Sequence, residues 1–288
     1  MRALTILLLS VAMPVAAPAA AAPALTARQV VERIKAHVGV PWSDPTVDTF
    51  KSGDPDTPVT GIATTMMATL DVLQRAADAG ANLVITHEPT FFSHLDDVKT
   101  LEQERDPVYL AKQAFIRDHH LVVWRFHDHW HRRKPDGIQS GVVGALGWAS
   151  YQVPGDERLF VVPPTTVAAL AADVKTRLHV DAMRMVGRPD MRLTRVALLP
   201  GAWGFAEHRK VLERPDVEAV VIGEAPEWET IEYVVDAVAG GMNKALIVPG
   251  HVPSEQPGME TCAEWLKTFI SEVPVRFVAT REPFAAVR

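Results

Sequence analysis

Short unbroken apolar runs, too brief to be buried helices and separated by helical segments, recur along this chain and confine it to an α/β fold. One of them, Leu83–Thr86 in NLVITHEPTFF, ends at His87, Glu88 and Pro89. Ligand crevices of open α/β sheets lie outside the carboxyl ends of strands, so two donors at a strand end are a candidate site. Neighbouring strand residues point to opposite faces, which separates His87 from Glu88. Pro89 ends regular pairing and lets the backbone turn so that the two side chains converge.

Other runs follow the same plan. Val59–Ala63, Leu121–Phe126, Leu159–Pro163, the segments opening at Met183 and Val196, Val217–Gly223, Ala245–Val248 and Val275–Ala279 read as strands. Thr26 and Gln29 form a capping box for a helix to His37. Thr64 or Thr65 caps a helix running to Gly80, Asp106–Pro107 opens one to about His119, and Thr165 caps another. Gly137–Trp148, Glu229–Ala239 and the stretch around Cys262 also read as helical. Cys262, the single cysteine, reads as a core thiol.

Two of these strand ends carry further donors. After LVVWRF comes HDHWH, and an extended continuation would put His127, His129 and His131 on one face and Asp128 and Trp130 on the other. Clustered imidazoles point to metal binding or proton transfer, and Asp128 reads as a ligand or as a carboxylate that orients an imidazole. After Ala245–Val248 comes PGHVPSEQPGME, with His251 and Glu255 four residues apart across a loop entering a helix. The helix dipole accounts for Glu255 but leaves His251 unexplained. Glu224, at another strand end, reads equally as a crevice residue or a cap, and Gly201–Gly204 as a structural turn.

Composition excludes some classes. A net charge of -6 gives no electrostatic footprint for nucleic acid. Arg2, the apolar run Leu4–Met13 and the small residues Ala16–Ala22 have the layout of a signal peptide over 1–22, too short to span a bilayer. The expectation is a periplasmic or secreted chain, 23–288, not embedded in a membrane. Serine hydrolysis is disfavoured, because GxSxG is absent and neither Ser140 nor Ser254 has an evident base.

THEPTFF resembles the THHP segment, and GHVPSE the GHYxSE segment, of the toroidal hexamers with a dinuclear metal centre, a NIF-three-like family that includes proteins called type 2 GTP cyclohydrolase I. LLPGAWG and VIGE also fit, so the resemblance covers nearly all of 23–288. It implies one domain of two related α/β subdomains with mixed sheets, about 23–150 and 151–288, the C-terminal part returning to a metal centre in the crevice between them. It further implies a homo-hexamer holding two divalent transition-metal ions, zinc, iron or manganese, on His87, Glu88, His131, His251 and Glu255. Two positions depart from the family pattern. Glu88 stands for the second of two adjacent histidines, and His131 stands where the family has an aspartate, so the donor inventory is kept while the metal preference shifts.

The resulting expectation is a metal-dependent hydrolase of a small molecule, with His127 or His129 moving protons. The competing expectation is a non-catalytic metal-binding, storage or assembly protein. GTP ring opening is not expected of an exported chain.

Overall fold

The computed structural model describes residues 25–285, so the expected signal peptide lies outside the described residues. Helix α1, Ala27–His37, starts at the Thr26–Gln29 capping box. Strands β1, Phe50–Ser52, and β2, Ile62–Thr65, lead to helix α2, Leu70–Asp78, and strand β3, Leu83–Thr86. Helices α3, Lys99–Gln103, and α4, Pro107–Asp118, precede strand β4, Val122–Arg125, and helices α5, Asp128–Arg132, and α6, Gly137–Leu146. The second half runs β5, Leu159–Thr166; α7, Val167–Arg177; β6, Arg184–Val186; β7, Arg192–Leu199; α8, Phe205–Leu212; and β8, Ala219–Ile222. A π-turn, Glu227–Ile231, then enters α9, Glu232–Ala239, and the chain ends with β9, Ala245–Val248; α10, His251–Lys267; and β10, Val275–Phe277.

Several expected boundaries shift, those at β2, α2 and α7 for identifiable reasons. Strand β2 begins at Ile62, so Thr64 and Thr65 are buried strand residues, and the hydroxyl that caps α2 belongs to Thr69. Thr166 caps α7, because β5 runs on through Thr165. The Asp106 cap and Pro107 start of α4 stand where the sequence puts them.

The strands form two mixed five-stranded sheets, ordered β1-β4-β3-β2-β10 and β5-β7-β8-β9-β6. In each, the central strands are parallel and at least one edge strand is antiparallel. Both faces of a central strand are covered, which is why β3, β8 and β9 are continuous apolar or β-branched runs, buried at every residue. One core includes Ile85 and Trp124 of the first sheet, Val221 and Ile247 of the second, and Met259, Cys262 and Leu266 of α10. The buried Cys262 thiol, its pKa pushed up by burial, behaves as a small apolar group.

Helix α10 ties the halves together. It follows β9 of the second sheet, Thr64 of β2 donates to its Met259 carbonyl, and the chain then adds β10 beside β2. It lies against α6 through Gly141 and Gly258, where a β-carbon on Gly141 would fall 2.5 Å from the Gly258 α-carbon. That backbone approach fixes where the N-terminus of α10, and with it His251 and Glu255, comes to rest.

Candidate metal centre

The carboxyl ends of β3, β4 and β9 converge. Past the end of β3, the His87 and Glu88 amides still bond to the Thr65 and Met66 carbonyls, so both residues are held as firmly as strand residues. The turn before Pro89 brings the two side chains to one cluster, where a nitrogen of His87 and an oxygen each of Glu88 and Glu255 lie within 4.8 Å of one another. His87 is fully buried, and its Nδ1 faces the Phe126 carbonyl at 3.2 Å. Its Nε2 is buried with no hydrogen-bond partner among the described residues. Burial, reinforced by the His127 and His131 rings, lowers its pKa well below the usual value and keeps the ring neutral.

HDHWH is helical rather than extended, which corrects the expected shared face. Two histidines four apart on a helix lie on one side, so His127 and His131 converge with His87, and the three offer nitrogens within 4.8 Å of one another. His129 turns the other way. Its Nδ1 meets Asp48 at 2.7 Å, its Nε2 accepts from the Ser43 amide, and Trp42 stacks on its ring at 3.6 Å. Fully buried with both nitrogens engaged, His129 is a scaffold residue with no reach into the cluster, contrary to the proton-transfer role expected of it.

Carboxylates orient the other two rings. Asp128 meets Nδ1 of His127 at 3.0 Å, and Asp136 meets Nδ1 of His131 at 2.9 Å. The hydrogen bond from His127 draws the Asp128 pKa down. Burial lowers the His131 pKa, but Asp136 outweighs it and the net shift is upward. Asp128 therefore steers an imidazole, and His127 takes a place among the donors.

His251 is the first residue of α10 rather than part of a loop, and Glu255 lies one turn on, their Nε2 and Oε2 3.1 Å apart. Nε2 of His251 is also 3.5 Å from Glu88, its Nδ1 is 3.5 Å from Glu224, and Glu255 is 3.6 Å from Nε2 of His87. Burial opposes charge on His251, but the three surrounding carboxylates prevail and raise its pKa to about 12. Burial also opposes ionisation of Glu88, and His251, His127 and Arg125 together hold it down at about 2. Gly201 is more than a turn residue. Its φ is +78°, and a β-carbon there would fall 2.1 Å from a Glu255 carboxylate oxygen, so only glycine leaves the carboxylate its place.

The cluster opens to a cavity of about 520 Å³ whose wall includes His94, Arg158 and Trp203. Sequence reasoning passed over several residues that build the site. Asp48 accepts from the His127, Asp128 and His129 amides. Fully buried Arg125 donates to the His87 and His94 carbonyls and reaches Glu88 at 3.5 Å. Asp48 carries no local signal, since it acts across a fold contact, whereas Asp136 is legible as the cap of α6, accepting from the Ile138 and Gln139 amides, but not as the partner of His131.

A family model, described as Duf34/NIF3 (NGG1p interacting factor 3), matches residues 47–283. The chain belongs to the DUF34/NIF3 family. Among curated relatives, a GTP cyclohydrolase 1 type 2 homolog of Clostridium acetobutylicum is 25% identical over 228 residues, 75% of this chain and 79% of the relative. A protein of the same name from Chlamydia pneumoniae is 25% identical over 250 residues, 81% and 88% of the two chains. The Staphylococcus aureus hypothetical protein SA1388 superposes with a TM-score of 0.70 at 17% identity, covering 92% of this chain and all of that one. The Bacillus cereus protein related to NIF3 gives 0.68 at 14% identity with the same coverage. These superpositions establish the NIF3-type fold for this member.

Proposed function

We propose that this DUF34/NIF3 member holds two divalent transition-metal ions and is a metal-dependent hydrolase of a small molecule. The observation that carries the reading is Nε2 of His87, buried without a hydrogen-bond partner among the described residues, on a neutral ring whose Nδ1 faces a backbone carbonyl. An unpaired buried acceptor costs about 1–3 kcal/mol, and ligation removes that penalty. The remaining donors fit. His127 and His131 complete a three-imidazole group, each ring held by a carboxylate in the manner of metal-binding histidines. His251, Glu88 and Glu255 form a second group, where negative charge sufficient to hold His251 protonated suits a cation of higher charge better than a proton. Imidazole-rich and mixed carboxylate sets suit zinc, iron or manganese.

Such ions, when bound, supply an acidified water and polarise a substrate oxygen. The protein's own part is to fix the donors through Asp128, Asp136 and Arg125 and to move protons. His94, in the cavity wall beside His127 with ring centroids 6.4 Å apart, belongs to neither donor group and takes the proton-transfer role in place of His129. The relatives' name also implies hydrolytic chemistry, while the export layout argues against a cytosolic nucleotide as substrate.

Elemental analysis of protein expressed with added zinc, iron or manganese tests the reading. Wild type and His94→Gln are expected to carry about two ions per chain, and His87→Ala and His251→Ala fewer. Equal metal content in wild type, His87→Ala and His251→Ala would overturn it.

A further inference from the structure

A second cavity, of about 850 Å³, meets the candidate metal centre at Glu88 and His251 and runs away from it between the start of α2, the loop after β3 and the start of α4. Its wall is largely apolar, with Leu70, Phe92, Pro107, Val108 and Ala111, and its size is that of a small-molecule site. Phe92 is held with φ of 62°, a conformation costly for an aromatic residue, and is 62% exposed at this wall.

Lys112 of α4 also lines this cavity and is only 5% exposed. Its ammonium donates to the Thr90 carbonyl at 2.5 Å and lies 5.3 Å from the Phe92 ring centre and 5.6 Å from that of Phe91. The Asp96 carboxylate favours the charged form of Lys112 but is shared with a second lysine. One Asp96 oxygen accepts from the Thr90 and Phe91 amides, and the other lies 3.3 Å from Lys51 in a buried pair. Two lysines and one aspartate leave a buried excess of one positive charge beside an apolar cavity. Burial lowers the Lys112 pKa from 10.5 to about 8, the mark of a cation held against its solvation. Retaining a lysine at such a site is costly for stability, a cost that an anionic ligand would offset.

We propose that this second cavity is the recognition half of the site and takes a monocarboxylate with an apolar chain, its carboxylate on Lys112 and its far end at Glu88 and His251. Shape and charge both select it. The apolar wall excludes small hydrophilic anions, and the buried Lys112 ammonium, set apart from the Glu88, Glu224 and His251 charges at the metal-centre end, distinguishes an acid from its neutral ester. The proposal deepens the hydrolase reading by naming a substrate class, and rests on it only for what happens at the Glu88 end.

Calorimetric titration of zinc-loaded and chelator-treated protein with octanoate, methyl octanoate and acetate is the test. Octanoate is expected to bind at least about tenfold more tightly than either other probe, as loss of one charge-assisted hydrogen bond implies. Lys112→Met should abolish the preference for acid over ester while leaving zinc content unchanged. Val108→Glu, at a position 61% exposed and so tolerant of charge, should weaken octanoate through repulsion and serves if Lys112→Met does not fold. Failure of wild type to bind octanoate, equal binding of acid and ester, or a preference that survives Lys112→Met, whether or not it depends on zinc, would overturn the proposal. A wild type that holds no zinc yet keeps the Lys112-dependent preference would leave it standing and remove the hydrolase reading instead.

Discussion

At the scale of single residues, the two halves of HDHWH have opposite fates. His131 turns to His87 with its Nδ1 on Asp136, whereas His129 turns inward to Asp48 and Trp42. Removing His131 should therefore take away a donor and leave the fold intact, with zinc content falling by about one ion per chain. Removing His129 opens a cavity and strips Asp48 of a buried partner, so His129→Ala should lose about 2–5 kcal/mol of stability, like other buried large-to-small changes. Denaturant unfolding beside elemental analysis separates the two. A His129→Ala protein as stable as wild type but lacking an ion would restore His129 to the site and refute the helical placement.

At the scale of elements, the site depends on how α5 and α10 start. Helix α5 is short, and its opening amides are taken by Asp48, which stands just before β1 and far away in sequence. Helix α10 starts at His251, so His251 and Glu255 stand one turn apart, and Gly201 in the loop after β7 makes room for Glu255. Gly201 and Gly204 form a matched pair for experiment. Both have positive φ, 78° and 76°, but a β-carbon at Gly204 meets nothing within 4 Å among the described residues. Each change to alanine should cost about 1–3 kcal/mol of backbone strain. Only Gly201→Ala should also lose metal, because its methyl would displace the Glu255 carboxylate. Elemental analysis showing equal metal retention in both variants would contradict that role for Gly201.

At the scale of the whole molecule, the candidate donors belong to both sheets. His87, Glu88, His127 and His131 follow strands of the first sheet, and His251 and Glu255 follow β9 of the second. A cation bound by both groups cross-links the halves and stabilises the native state alone. At free zinc one hundred times the dissociation constant, linkage gives about 2.7 kcal/mol. For a chain of this size that is a rise of several degrees in melting temperature, at about 2–4 °C per kcal/mol. Scanning calorimetry with and without chelator should show this loss. A melting temperature indifferent to chelation would mean that the cation, if any, does not bridge the two halves.

Much of this was written locally. The runs Leu83–Thr86, Ala219–Ile222 and Ala245–Val248 are apolar or β-branched throughout because their strands are covered on both faces, and that pattern alone specified an α/β fold with donors at strand ends. The capping box at Thr26 and the Asp106–Pro107 start were legible because capping is a contact between near neighbours. His87, Glu88, His251 and Glu255 were legible because each follows a strand closely. Whether HDHWH was extended or helical was undetermined by its own residues, since Asp48 supplies the cap from outside the segment. The same holds for Gly201, whose necessity arises from a carboxylate on another element, and for Lys112, whose charge became conspicuous only when packing removed its water. Sequence settled what depends on neighbours along the chain, and tertiary structure decided orientation, pairing and charge, because those are set by atoms that meet only after the two sheets have packed.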